Sequence, residues 1–163
     1  INLSYVQILK SPLMMELKQI IDHSGISCSG IIVELTESGY LEGTPAVRSV
    51  WNDMKKLRIQ IALDDFGTGY SNLMNISNLE PDIVKLDRGF TLKALSRSYE
   101  YQLMQYVIEM VHKLNQYVCV EGVETKEDLE KIKALGPDLI QGYYYSKPCS
   151  RDEFLKKFFG YSE

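Results

Sequence analysis

The sequence predicts an α/β protein, an incomplete (β/α)8 barrel of about six βα units. Three observations predict it. Strand-like and helix-like stretches alternate strictly along the chain, which implies a parallel sheet. Connections are short, and no linker, low-complexity boundary or repeat divides the 163 residues into more than one domain. A polar residue closes each of six strands: Asn2, Glu34, Asp64, Lys85, Glu121 and Gln141. A barrel brings such ends to one mouth, whereas an open doubly wound sheet, the alternative architecture, spreads them along an edge. A complete barrel takes roughly 200 residues or more. About two βα units are therefore expected to be missing, and they would fit before Ile1, where the chain opens without an initiator methionine.

The elements follow in order. Ile1 to Ser4 is a weak strand stub. Ser11-Pro12 opens a helix as N-cap and first-turn proline, with Leu13, Leu17, Ile20 and Ile21 as its inward stripe and Gly25 as its end. Ile31 to Leu35 is a β-branched strand. Thr44-Pro45 opens a helix that turns Val47, Val50, Trp51, Met54 and Leu57 inward. Ile59 to Asp64 is a strand, and Ile83 to Asp87 another after the turn Glu80-Pro81-Asp82. Tyr99 to Gln116 is a long helix with Leu103, Val107, Met110, Val111 and Leu114 at helical spacing. Tyr117 to Glu121 is a strand. Thr125-Lys126-Glu127-Asp128 reads as a capping box for a helix that stops at Gly136. Leu139 to Gln141 is a short strand, and Ser150 caps a last helix ending near Phe159.

Composition narrows the function. Apolar content of 45% and charged content of 25% are ordinary for a globular domain. A net charge of −4 argues against a nucleic-acid polymer or an anionic membrane as partner, but leaves a small phosphorylated ligand open where metals intervene. Cys28, Cys119 and Cys149 are odd in number and lack CxxC spacing, which suits reduced thiols in the cytoplasm. No apolar run approaches the ~20 residues of a membrane span, and no signal peptide is present.

Chemistry concentrates in Leu63-Asp64-Asp65-Phe66-Gly67-Thr68-Gly69-Tyr70-Ser71. Two adjacent acids at a strand end repel each other unless a cation neutralises them. Each candidate has a bland alternative. Glu34 reads equally as a solvated strand-end acid, Asp65-Phe66-Gly67 as an Asx turn, Lys85 as a snorkelling lysine, Glu124 as a charge favouring the next helix start, and Gln141 as a simple strand end. Together they aim several hard oxygen donors and one cation at one mouth, which suits Mg²⁺, Mn²⁺ or Ca²⁺. Two such ions sharing a carboxylate are a standard device for phosphodiester hydrolysis. Other chemistries lack support. His23 and His112 fall in helices, Ser71 is outside any GxSxG elbow, no cysteine has a histidine partner by spacing, and Gly67-Thr68-Gly69 matches neither the dinucleotide nor the P-loop pattern. Tyr143, Tyr144 and Tyr145 could stack on a base, but read more simply as packing and rim.

Five strings in order, Glu34-Leu35-Thr36-Glu37, Asp64 to Ser71, Val84-Lys85-Leu86-Asp87, Glu121-Gly122-Val123-Glu124-Thr125, and Gln141-Gly142-Tyr143 with Pro148, resemble the EAL domain over essentially the whole chain. The resemblance implies a TIM-barrel-like EAL fold, here a single domain over 1–163 that is N-terminally truncated. It implies a phosphodiesterase that hydrolyses cyclic di-GMP to linear pGpG with two Mg²⁺ or Mn²⁺ ions, Ca²⁺ acting as an inhibitor. By position, Asn2 and Glu34 are implied as ligands of one metal, Asp64 as the bridge, and Asp65 and Glu121 as ligands of the second. Lys85 is implied at the attacking water or a phosphate oxygen, Gln141 near the water and phosphate, and Glu124 near the site. Glu37 is implied as anchor of the loop Phe66 to Asn72, which in this family couples metal binding to dimerisation. A homodimer, and sensory or GGDEF domains elsewhere in a protein that could be membrane-anchored, are implied as partners. The Glu-Ala-Leu signature itself is absent, and with it one metal carboxylate and part of the guanine pocket. A non-catalytic cyclic di-GMP receptor is the alternative, and a fragment with neither function applies if the metal site cannot close.

Overall fold

A computed structural model describes residues 1–10, 12–36, 44–68, 76 and 79–160. Six parallel strands form one sheet in chain order: β1 (Asn2–Leu3), β2 (Ile32–Thr36), β3 (Gln60–Phe66), β4 (Ile83–Leu86), β5 (Tyr117–Glu121) and β6 (Leu139–Gln141). Sequential order decides between the two expected architectures, because a doubly wound sheet reverses its strand order and a barrel does not. Among the described residues no pairing joins β6 back to β1, so the sheet is an arc of a barrel. Seven α-helices are described: α1 (Tyr5–Lys10), α2 (Leu13–Ser24), α3 (Pro45–Lys56), α4 (Arg88–Ser96), α5 (Ser98–Lys113), α6 (Lys126–Lys133) and α7 (Arg151–Phe159).

Alternation along each strand gives the sheet two faces. Outward, Val33, Leu35, Ile61, Leu63, Val84, Leu86, Val118 and Val120 join the main core with Trp51 and Met54 of α3, Ile108 of α5 and Ile132 of α6. Inward, Ala62, Ile83 and Cys119 pack together with Ile32 as a small apolar floor. Two residues further along the same four strands, on the same inward face, stand Glu34, Asp64, Lys85 and Glu121.

Turn chemistry below the sheet is regular. Arg58, Asn115 and Gly136, just past α3, α5 and α6, adopt φ of 60°, 58° and 75°, the left-handed cap that releases a chain from a helix. The same Pro-Asp step then leads into β4 and β6. Asp82 Oδ2 accepts the Ile61 N–H at 2.8 Å, and Asp138 Oδ2 accepts the Val118 N–H at 2.8 Å. Each aspartate thus clasps its strand to the preceding one.

Several expected details differ. Pro12 is the N-cap of α2, with no side-chain cap bond, and the expected cap Ser11 lies outside the described residues. Ile20 is 66% exposed rather than inward. Helix α4 was not expected; Asp87 starts it by accepting the Gly89 N–H at 2.7 Å. On α5 the buried residues are Met104, Ile108 and Val111, while Leu103 and Leu114 are exposed. The caps at Thr44, Thr125 and Ser150 stand as expected, the last two as full capping boxes.

Candidate functional site

Lys85 is the centre of the mouth. It projects from β4 into the barrel and is 5% exposed. Its Nζ donates to Glu34 Oε2 at 2.8 Å, to Asp64 Oδ1 at 3.0 Å and to Glu121 Oε1 at 2.8 Å. Strands β2, β3 and β5 each supply one carboxylate and β4 supplies the cation, which is why residues far apart in sequence meet. Burial works against the ammonium, but its hydrogen bonds to Glu121, Glu34 and Asp64 outweigh that and hold it above the ordinary lysine range. Glu121 is shifted up from the ordinary carboxylate value by burial, which the Lys85 hydrogen bond only partly offsets.

Asp65 explains how two adjacent acids share one mouth. A regular strand would send them to opposite faces. The register between β3 and β4 slips between Leu63 and Phe66, so that three steps on β3 match two on β4. This bulge sets Asp64 and Asp65 together opposite Lys85. Asp65 takes φ 59°, and its N–H donates to Asp64 Oδ1 at 3.0 Å. Burial first, then the charges of Asp64 and Asp87, push its pKa up.

The other candidates flank this cluster. Asn2 is the register partner of Glu34 and Gln141 that of Glu121. Glu124 is not gathered onto Lys85; its Oε1 accepts from Arg88 Nη2 at 2.8 Å and from Arg88 Nε at 3.2 Å. Glu37 lies outside the described residues. Arg88 was not foreseen, although Asp87-Arg88-Gly89 directly after a strand is a helix-start signal at the mouth. Two glycines shape the rim. A side chain at Gly122 (φ 81°) would collide with Arg88, and one at Gly142 with the Val123 backbone, so the loops after β5 and β6 pack backbone to backbone. Tyr143 is 55% exposed at this rim, and Lys147 Nζ lies 5.5 Å from its ring centre.

The histidines stay out of the mouth. His112 bonds Asp138 Oδ2 at 2.9 Å, at the far end of the sheet, and His23 bonds the carbonyl of Gln19 on its own helix. Cys119 is buried in the floor beneath the acids, and burial pushes its thiol up to about 12, so it stays protonated.

The donor set of carboxylate and amide oxygens fits hard divalent cations. Among the described residues no three His, Cys, Asp or Glu side chains gather around one point as metal ligands. Glu34, Asp64 and Glu121 gather instead on the Lys85 ammonium, which occupies the centre of their negative field. Four carboxylates with one ammonium leave an excess of negative charge that further cations would neutralise.

The family profile described as "EAL domain" matches residues 1–148. The Escherichia coli (strain K12) protein named cyclic di-GMP phosphodiesterase PdeF is 32% identical over 148 residues, which is 91% of this chain and 20% of that protein. The chain therefore spans about a fifth of that relative's length. Among solved structures, the EAL enzyme Bd1971 in its cAMP- and cyclic-di-GMP-bound form aligns with a TM-score of 0.89 at 30% identity, over 95% of this chain and 41% of that one. Klebsiella pneumoniae BlrP1, in a manganese/cy-diGMP complex, aligns with a TM-score of 0.83 at 26% identity, over 91% of this chain and 38% of that one.

Proposed function

The chain belongs to the EAL domain family, and on that premise we propose that it is part of a cyclic di-GMP phosphodiesterase that yields linear pGpG. The observation that carries this reading is the layer of acids from adjacent strands, held on Lys85 and doubled by the bulge at Asp64-Asp65. Asn2, Glu34, Asp64, Asp65 and Glu121 would hold two Mg²⁺ or Mn²⁺ ions, with Ca²⁺, which accepts looser geometry, as an inhibitor. When bound, such ions supply the charge that polarises a phosphodiester and acidifies a water.

The chain's own residues do the rest. Lys85 fixes the relative positions of Glu34, Asp64 and Glu121 and offers positive charge to a phosphate oxygen. Glu121, hydrogen-bonded to Lys85, stands with Lys85 and Gln141 among the residues that act at the water and phosphate. Gln141, beside it in register, orients a water or phosphate oxygen by hydrogen bonding. Glu124, pinned by Arg88, adds an acid at the rim. Residues 1–163 are read as one truncated domain, the missing barrel strands being supplied by chain outside it. Exposed Phe154, Phe158 and Phe159 on α7 support self-association as a homodimer. Sensory or GGDEF domains and a cytoplasmic setting for this domain complete the reading.

The test is hydrolysis of cyclic di-GMP with Mn²⁺ or Mg²⁺, following pGpG by chromatography, for this chain and for a version extended by the two missing βα units. Product from the extended form that disappears in Asp64→Asn supports the reading. Tight binding of cyclic di-GMP with no product from either form would favour the receptor instead.

A further inference from the structure

The loops after β4, β5 and β6 line one side of the mouth, and an exposed arginine ties them together. Arg88 begins α4, three residues after Lys85. Its Nε and Nη2 donate to Glu124 Oε1 at 3.2 and 2.8 Å, three residues after Glu121. Between those two acids, Gly122 leaves room for the stem of Arg88, where any side chain would collide with it. The contacts then run on to the next loop. Val123 is fully buried. Its N–H donates to the Gln141 carbonyl at 3.3 Å, and its carbonyl accepts the Tyr144 N–H at 3.0 Å. The loop that Arg88 grips thus begins at Glu121 and is bonded to Gln141.

This grip is suited to placing groups rather than to holding the fold together. The Arg88 and Glu124 side chains are 57% and 39% exposed, and an ion pair so open to water adds little to folding. Position at a reacting centre is far more sensitive: a displacement of about 1 Å costs on the order of a hundredfold in rate. The planar guanidinium presents two N–H groups from fixed directions, which sets an angle that a lysine at this place would leave free.

We propose that Arg88 is a positioning residue of the mouth: by clamping the loop after β5 it holds Glu121 against Lys85 and keeps Gln141 beside Glu121. The consequence for turnover rests on the phosphodiesterase reading; the clamp does not.

The test has two arms. In the first, amide hydrogen exchange is followed by NMR on the metal-free chain. Arg88→Gln and Glu124→Gln should each speed exchange at the Val123 and Tyr144 N–H groups by about fivefold, the population bias an exposed ion pair can impose. The Ile61 and Val118 N–H groups, at the other end of the sheet, should not change. In the second arm, cyclic di-GMP hydrolysis is measured with Mn²⁺ in the form extended by the two missing βα units. Arg88→Gln should lower kcat about fivefold or more, with KM within about twofold and the urea midpoint unchanged. Arg88→Lys should recover part of the loss, and Arg88→Gln should cost nothing more when Glu124→Gln is already present. Unchanged exchange at Val123 and Tyr144, or unchanged kcat in an active parent, would overturn the proposal. So would a raised KM at constant kcat, which would make Arg88 a substrate contact, or a loss of kcat that follows a lowered urea midpoint. A parent that yields no pGpG would count against the phosphodiesterase reading, and the exchange arm then decides on Arg88.

Discussion

Replacing Lys85 by methionine removes one charge and leaves three carboxylates facing an apolar tip. Their side chains retain 25%, 15% and 19% exposure at Glu34, Asp64 and Glu121, so water can reach each only in part. Removing one partner from a buried ion cluster costs about 3–5 kcal/mol, and this residual exposure places the expectation near the lower end, about 3 kcal/mol. With an m-value of about 2 kcal/mol/M, that moves the urea midpoint down by about 1.5 M. Two controls give the number its meaning. At pH 4 the loss should shrink, because the carboxylates can protonate instead of repelling one another. At pH 7, millimolar Mn²⁺ should restore part of it, because a cation then takes the place the ammonium held. Urea unfolding followed by circular dichroism, in EDTA and in Mn²⁺, reads all three. A variant as stable as the parent in EDTA at pH 7 would refute the view that Lys85 neutralises this layer.

Three further outcomes are expected. Asp65→Asn keeps a residue that tolerates positive φ and removes a charge disfavoured by burial, Asp64 and Asp87; it should gain about 0.5–1 kcal/mol at pH 7. The ionised form of Asp65 costs stability above its raised folded pKa, and that cost is gone below the ordinary 3.8, so the gain should vanish in urea melts at pH 3. Asp138→Ala leaves the Val118 N–H and His112 without their acceptor and should cost about 1–3 kcal/mol. Burial raises the Asp138 pKa, but bonds from Val118 and His112 pull it below its ordinary value. Its contribution is therefore present above pH 3.8 and lost as pH falls through the folded pKa, so parent and variant should converge in acid. Gly142→Ala would drive a methyl into the Val123 backbone; a loss of about 3 kcal/mol or more in urea unfolding checks this.

Much of the fold is local enough to be read from residues. Strands β5 and β6 begin and end where their apolar runs do, because Gly136, Pro137 and the polar ends Glu121 and Gln141 punctuate them. The caps at Thr44, Thr125 and Ser150 are legible because each bonds within three residues. Helix α5 is harder. Leu103, Met104, Val107, Ile108, Met110 and Val111 surround more than one face, and only packing on β5 and α4 selects Met104, Ile108 and Val111 for burial. Helix α4 carries a weak apolar pattern, and its start is announced only by Asp87. The polar strand ends of the site were visible one by one. Their meeting on Lys85, the bulge that turns Asp65 to the same mouth, and the Arg88–Glu124 pair depend on register between strands, which no local pattern encodes.

The most direct measurement is calorimetric titration of cyclic di-GMP into the chain with and without Mn²⁺, repeated with Asp64→Asn. Binding that requires Mn²⁺ and is lost in Asp64→Asn is expected if the acids around Lys85 form a metal-dependent site for this ligand. Binding unaffected by Mn²⁺ and by the substitution, or no binding under any of these conditions, would contradict it.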